Sequence, residues 1–355
     1  MMNQTNGGRF VVTAAVVCLL VVLAVGAYAA LVVFGGTDTY PAGAFSDLGE
    51  SFSAAESDRT ETSDESVAAD TENDQRYSFV WMTDTQTYTR YYPEVLESMC
   101  GWLKDNSTQL DIRALFHTGD IIDTYTDVEQ WECAQRNFGL VPKNVMSLYL
   151  TGNHDVGFTS ADYSYYYEYF GDGEKVLPGG NGGIYNNGKA QYILYSTQNC
   201  DYIFLGFGWN ITEGMVNWAK DLLETYSDRV CILMTHSYLD TDATLTSNGE
   251  LLYDGIVSTC PNVALVLCGH MHGTAVSVST FDDDGDGTAE RTVTQILADY
   301  QGESGGGDGY LQIITVDEQA GVVELTPYSP YLDEYADFND DNEKFIIDIG
   351  DWLKK

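Results

Sequence analysis

Residues 145–155 read Val-Met-Ser-Leu-Tyr-Leu-Thr-Gly-Asn-His-Asp. A short apolar run stops at a glycine, and an amide, an imidazole and a carboxylate follow at once. The run has the length and apolar density of a buried strand, and the glycine lets the chain turn sharply as it leaves. The same arrangement occurs at four other places. Residues 77–82 lead to Asp84 and Gln86, and residues 114–116 lead through His117 to Gly119-Asp120-Ile121-Ile122-Asp123. Residues 230–234 lead to Thr235-His236, and residues 263–267 lead to Gly269-His270-Met271-His272-Gly273. Helical periodicity occupies 93–104, 128–138 and 214–226. Strands and helices therefore alternate, which predicts an α/β layered domain. Antiparallel pairing is expected for 191–196 with 202–207, for 276–281 with 292–297, and for the hairpin 310–316 with 321–325. A second sheet is thus expected to pack on the first, with helices outside.

In an open α/β sheet, ligands bind beyond the carboxyl ends of the strands, so five strand ends direct their polar residues to one edge. The chain has five histidines, and His154, His236, His270 and His272 all lie in these motifs. His117 lies inside its strand and reads as structural. A lone histidine is more often a satisfied core or surface residue, but four of five beside aspartates and an asparagine read as ligands. Mixed carboxylate, amide and imidazole donors suit Mn, Fe, Zn or Mg. No cysteine joins them, which disfavours a structural zinc site. A carboxylate such as Asp120 has two oxygens and can bridge two ions. Two ions about 4 Å apart can activate a shared hydroxide and clamp a phosphoryl group. They also restore a local positive potential inside an acidic protein.

The ordered set D-x-Q, GDxxD, GNHD, H and GHxH, running from Asp84 to His272, resembles the calcineurin-like metallophosphoesterases. The resemblance covers about half the chain. It implies a four-layer α/β/β/α sandwich of two packed mixed sheets, and dimetal-dependent hydrolysis of a phosphomonoester or phosphodiester. Carried over position by position, it implies Asp84, Gln86, Asp120 and His272 at one divalent ion, and Asp120, Asn153, His236 and His270 at the other. It implies His154 beside the leaving group as acid or charge stabiliser, with Asp155 and Asp123 behind, fixing imidazole orientation. The first motif usually ends in histidine, and here Gln86 stands in its place. A neutral oxygen donor weakens affinity at that ion and favours Mn or Mg over Zn. A non-catalytic, metal-stabilised surface binding module is the alternative reading.

Composition limits the partners. Lysine plus arginine is 16 and aspartate plus glutamate is 54, a formal charge of −38. Affinity for a nucleic-acid backbone comes from cations that replace counterions, so nucleic-acid binding is disfavoured. Hydrophobic residues are 44% of the chain, enough for a sizeable core. Residues 10–34 form an uncharged run of 25, longer than the roughly 20 a spanning helix needs. Arg9 precedes it and Asp38 is the first charge after it. This asymmetry predicts a cytoplasmic terminus at 1–9, a transmembrane signal anchor at 10–34 and an extracytoplasmic remainder. Secretion after cleavage near Ala27-Tyr28-Ala29 is the alternative. Residues 35–76 hold eleven acids and two arginines, which predicts a disordered linker, and the catalytic domain is expected at 77–355. Six cysteines outside the anchor permit disulfides. Asp282 to Gly287 has the spacing that begins a calcium loop, but Val293 stands at its twelfth position. A hairpin turn accounts for these residues equally well.

Overall fold

The computed structural model describes residues 75–171, 181–336 and 345–353. The expected anchor at 10–34 and the linker up to residue 74 lie outside the described residues. Among the described residues, no helix is long and apolar enough to cross a membrane.

Strands β1 (Arg76–Met82), β2 (Ile112–His117) and β3 (Met146–Tyr149) run parallel. Helices Gln86–Tyr91 and Pro93–Asn106 connect the first pair, and Val128–Phe138 connects the second. The Asp127 carboxylate caps Val128–Phe138 by accepting the amides of Glu129 and Gln130. The chain then builds a second sheet from β4 (Gly182–Tyr185), β5 (Ala190–Ser196), β6 (Asp201–Phe207), β7 (Val230–Thr235), β8 (Val263–Cys268), β9 (Gly273–Phe281) and β10 (Arg291–Asp299). Its order is β4-β5-β6-β7-β8-β10-β9, with β6, β7, β8 and β10 parallel. Finally β11 (Leu311–Asp317) returns to the first sheet and pairs antiparallel with β1. Strands β12 (Val322–Ser329), β13 (Glu334–Tyr335) and β14 (Phe345–Asp348) extend that edge. The first sheet is therefore made from both ends of the described chain and the second from its middle.

Side-chain alternation sets the layers, because successive strand residues face opposite ways. Phe79 and Trp81 of β1 enter an apolar layer with Phe116, Leu148, Phe204, Met234 and Leu267. Val80 and Met82 face the other way, onto Leu96, Met99 and Trp131 of the helices. In β6, Phe204 joins the central layer, while Ile203 and Leu205 pack on Met215, Ala219 and Leu223 of helix Glu213–Thr225. Helix, sheet, sheet and helix follow in that order, and the expected four-layer sandwich of two mixed sheets is present. β1 begins one residue before the expected boundary, because Arg76 pairs with Asp317.

Elements absent from the sequence reading are short. They include β4, β13, β14, helices Gln86–Tyr91, Asn153–Val156 and Ser164–Tyr169, and helix Ser247–Leu252 running into a π turn at Tyr253–Val257. A few residues carry too little periodicity to be recognised. Cys100, Cys133, Cys200, Cys231, Cys260 and Cys268 are all buried and none is in a disulfide.

Candidate metal centre

The strand-end motifs meet at one edge, and the backbone is bent to make them meet. Asp84, Asp120 and His270 have φ of 53°, 54° and 75°, the left-handed region that non-glycine residues avoid. Each such residue costs on the order of 1–3 kcal/mol. Glycines allow the close approach. A Cβ on Gly152 would lie 2.1 Å from Asp120 Oδ1, and one on Gly269 would lie 2.3 Å from Asp84 Oδ2.

Asp120, His236 and His270 place ligand atoms within 4.8 Å of one another. His236 Nε2 lies 3.2 Å from Asp120 Oδ2 and 3.2 Å from Asn153 Oδ1. His270 Nδ1 lies 3.1 Å from the same His236 atom. On its other side, His236 Nδ1 faces the Thr118 carbonyl at 3.0 Å. A carbonyl only accepts, so Nδ1 carries a hydrogen and Nε2 is the nitrogen offered to the site. The His270 backbone amide donates to Asp84 Oδ2 at 3.0 Å, and Thr83 Oγ1 donates to the same oxygen. Gln86 Nε2 donates to Asp120 Oδ2 at 3.2 Å. Asp84 Oδ1 and Gln86 Oε1 are buried without a hydrogen-bond partner.

His154 sits at the rim, its side chain 40% exposed. Its Nδ1 is 2.8 Å from the Asp123 carbonyl and 3.6 Å from the Asp123 carboxylate, which also pairs with the Arg90 guanidinium. Its backbone amide donates to Asp120 Oδ1 at 2.8 Å. Asp155 departs from expectation, because its carboxylate reaches no imidazole. Instead it accepts the amides of Ile122 at 2.9 Å and Gly152 at 2.8 Å. Those two buried amides need an acceptor, and meeting them fastens the second motif to the third. His272 is exposed, and no hydrogen bond among the described residues joins it to Asp84 or Gln86.

Three nearby residues were not singled out as site residues from sequence. Asp299 ends β10 and is 1% exposed, and its Oδ2 is buried without a partner. Gln301 follows it and accepts from Gln86 Nε2 at 3.0 Å. Trp209 places its ring 5.8 Å from His236 and 5.4 Å from His270. Asp299 had a usable signal, a polar residue just past an apolar strand. Trp209 carried none. The glycine-rich stretch after Gln301 packs on the helix that follows Asp84, where the Gly309 amide donates to Tyr88 Oη at 3.0 Å.

Burial pushes the Asp84 carboxyl up, and the neighbouring Asp120 charge adds to this. Burial and Asp84 push Asp299 well above the usual range. For His236, burial works downward, but the Asp120 and Asp84 carboxylates outweigh it and raise the ring to about 10. Burial and the His236 charge lower His270 to about 4. Burial opposes ionisation of Asp120 too, yet the His236 cation holds this carboxyl below its ordinary value. Three buried carboxyl groups thus share one imidazolium, and the cluster is short of positive charge. Unpartnered hard oxygens and the neutral His270 ring in such a field fit divalent cations.

The turn at 282–287 is different. Asp282, Asp284, Asp286 and Glu290 come together but are exposed. Asp282 accepts the amides of Gly285 and Gly287, and Asp286 accepts that of Thr288. These carboxylates hold the β9–β10 hairpin, as the turn reading expected.

A family profile described as "Calcineurin-like phosphoesterase" matches residues 77–274. The uncharacterized protein YvnB of Bacillus subtilis (strain 168) is 39% identical over 286 residues, 79% of this chain and 22% of that protein. The chain thus spans about a fifth of that relative's length. Among solved structures, purple acid phosphatase PPD1 from yellow lupin (Lupinus luteus) seeds is similar with a TM-score of 0.51 at 13% identity. That similarity covers 77% of this chain and 54% of the lupin protein, and it is a likeness of fold.

Proposed function

The chain belongs to the calcineurin-like phosphoesterases, metal-dependent hydrolases, and from that premise we propose that it cleaves a phosphomonoester or phosphodiester at a two-ion centre outside the cytoplasm. The single observation that carries this reading is the pair of buried, unpartnered oxygens on Asp84 and Gln86, set beside the Asp120–His236–His270 cluster. Asp84, Gln86, Asp120, Asn153, His236 and His270 would hold the ions, and His272 belongs to the set by its motif. Neutral Gln86 favours Mn or Mg over Zn. When bound, the ions supply the Lewis acidity that makes water nucleophilic at neutral pH and offsets charge on the phosphoryl oxygens.

The chain's own residues do the rest. The Thr118 carbonyl keeps the His236 ring in one tautomer. The Asp123 carbonyl takes the Nδ1 side of His154, leaving Nε2 for the leaving oxygen. Burial disfavours the charged form of His154, but Asp120 and Asp123 outweigh it and raise the ring, which suits a proton donor. The Trp209 ring packs against both site imidazoles.

Location outside the cytoplasm, tethered through residues 10–34, rests on the charge asymmetry across that run. The purified protein, assayed on aryl phosphate mono- and diesters with added Mn²⁺, tests the activity. Turnover that chelator abolishes and Mn²⁺ restores is the expected result. Tightly held metal with no turnover on any ester would instead favour the non-catalytic surface module.

A further inference from the structure

Gln86 is an unusual donor for this position, because an amide can turn over and present nitrogen instead of oxygen. An NH₂ group facing a cation would repel it. The structure shows what prevents this. Gln86 Nε2 lies 3.2 Å from Asp120 Oδ2 and 3.0 Å from Gln301 Oε1. A carboxylate oxygen here only accepts, so the Gln86 atom facing it must be the NH₂. The Gln301 atom facing that NH₂ must in turn be an oxygen. Gln301 is itself fixed, since its Nε2 donates to Thr87 Oγ1 at 2.8 Å and its backbone amide donates to Asp299 Oδ1 at 2.8 Å. Both hydrogens of the Gln86 amide are thereby engaged, and Oε1 is left buried without a partner.

We infer that Gln301 is a positioning residue that commits Gln86 to act as an oxygen ligand. It reaches across 215 residues of sequence, from the end of a second-sheet strand to the helix after β1 of the first. The inference rests on the two-ion reading of the site and specifies how one ion is held. Partners of this kind behind a ligand typically contribute 10- to 100-fold in metal affinity, here taken as about that range.

The test is Mn²⁺ binding to the full chain, by calorimetric titration with competing chelator and no substrate. Gln301→Leu keeps the volume but loses the acceptor, and it should weaken one of the two ions by about 10- to 100-fold while sparing the other. Gln301→Glu keeps an acceptor and should bind at the parent's affinity or above it. Thr87→Val loosens Gln301 without touching the centre and should weaken the same ion by less. In a Gln86→Ala background, Gln301→Leu should cause no further loss, because it acts through Gln86 alone. Parent-like binding of both ions by Gln301→Leu, or an equal loss in the Gln86→Ala background, would overturn the inference. A parent chain that binds no ion at all would instead overturn the two-ion reading, and this inference with it.

Discussion

Asn153 and His154 are neighbours in sequence with separate surroundings. Asn153 Oδ1 turns toward His236, while His154 stands at the rim against Asp123. His154→Ala is therefore expected to keep its metal and lose about 10²- to 10⁴-fold in rate on an ester with a poor leaving group. The loss should shrink on aryl phosphates, whose leaving oxygen needs less protonation. Metal content and rates on both ester types check this, and an unchanged rate on the poor leaving group removes His154 from catalysis. His117 shows how a histidine in the same neighbourhood serves the fold. It is buried, its Nε2 lies 3.0 Å from Thr85 Oγ1, and its Nδ1 accepts the Gly119 amide at 3.3 Å. Burial and the His236 charge lower its ring from 6.5 to about 3. The folded protein thus keeps His117 neutral where the unfolded chain would protonate it. Its contribution is fully present above pH 6.5 and falls away as pH drops toward 3. Denaturant midpoints of metal-free protein between pH 7 and 4 should fall less steeply for His117→Gln than for the parent. At this scale the meeting of Asp120, His236 and His270 was legible because few residue types bind hard ions and they recur after glycine-punctuated strands. Asp155 was misread because its partners are backbone amides, which no side-chain pattern announces. Gln301 was not assigned to the site because its partner lies 215 residues away.

Strands were legible from apolar density, and their pairing followed in the hairpins. The expected pair 191–196 with 202–207 appears as β5 and β6, in register from Ala190↔Phe207 to Ser196↔Asp201. What the sequence could not distinguish is which face of a buried strand looks at helices and which at the other sheet, since both faces are apolar. In β1 the structure assigns Phe79 to the layer between the sheets. Its ring lies 5.2 Å from Phe204, 5.6 Å from Phe116 and 5.9 Å from Tyr202. Phe79→Ala should therefore cost about 3–5 kcal/mol of stability, the range for emptying a close-packed aromatic site. Val278→Ala, at a position 58% exposed in β9, should stay within about 0.5 kcal/mol. Urea unfolding of both variants makes the comparison. Similar midpoints would mean that the layer between the sheets is not closely packed around Phe79.

For the molecule as a whole, the expected orientation rests on the uncharged run at 10–34, with Arg9 before it and Asp38 as the first charge after it. Protease added to intact cells should remove residues 77–355 if they project outward. Complete protection until lysis would reverse the assignment. Every ligand motif has been made once His272 leaves the ribosome, and the family profile ends at residue 274. Yet β1, which leads into Asp84 and Gln86, has no neighbour on one side until β11 arrives and pairs from Arg76↔Asp317 to Trp81↔Gln312. β8, which leads into His270, likewise waits for β10. A nascent chain stopped at 274 would carry all five strand-end motifs on two sheets with open, apolar edges, a state prone to mispairing. Strands β10 and β11 hold none of the motifs, but they are what allows the motifs to become a site.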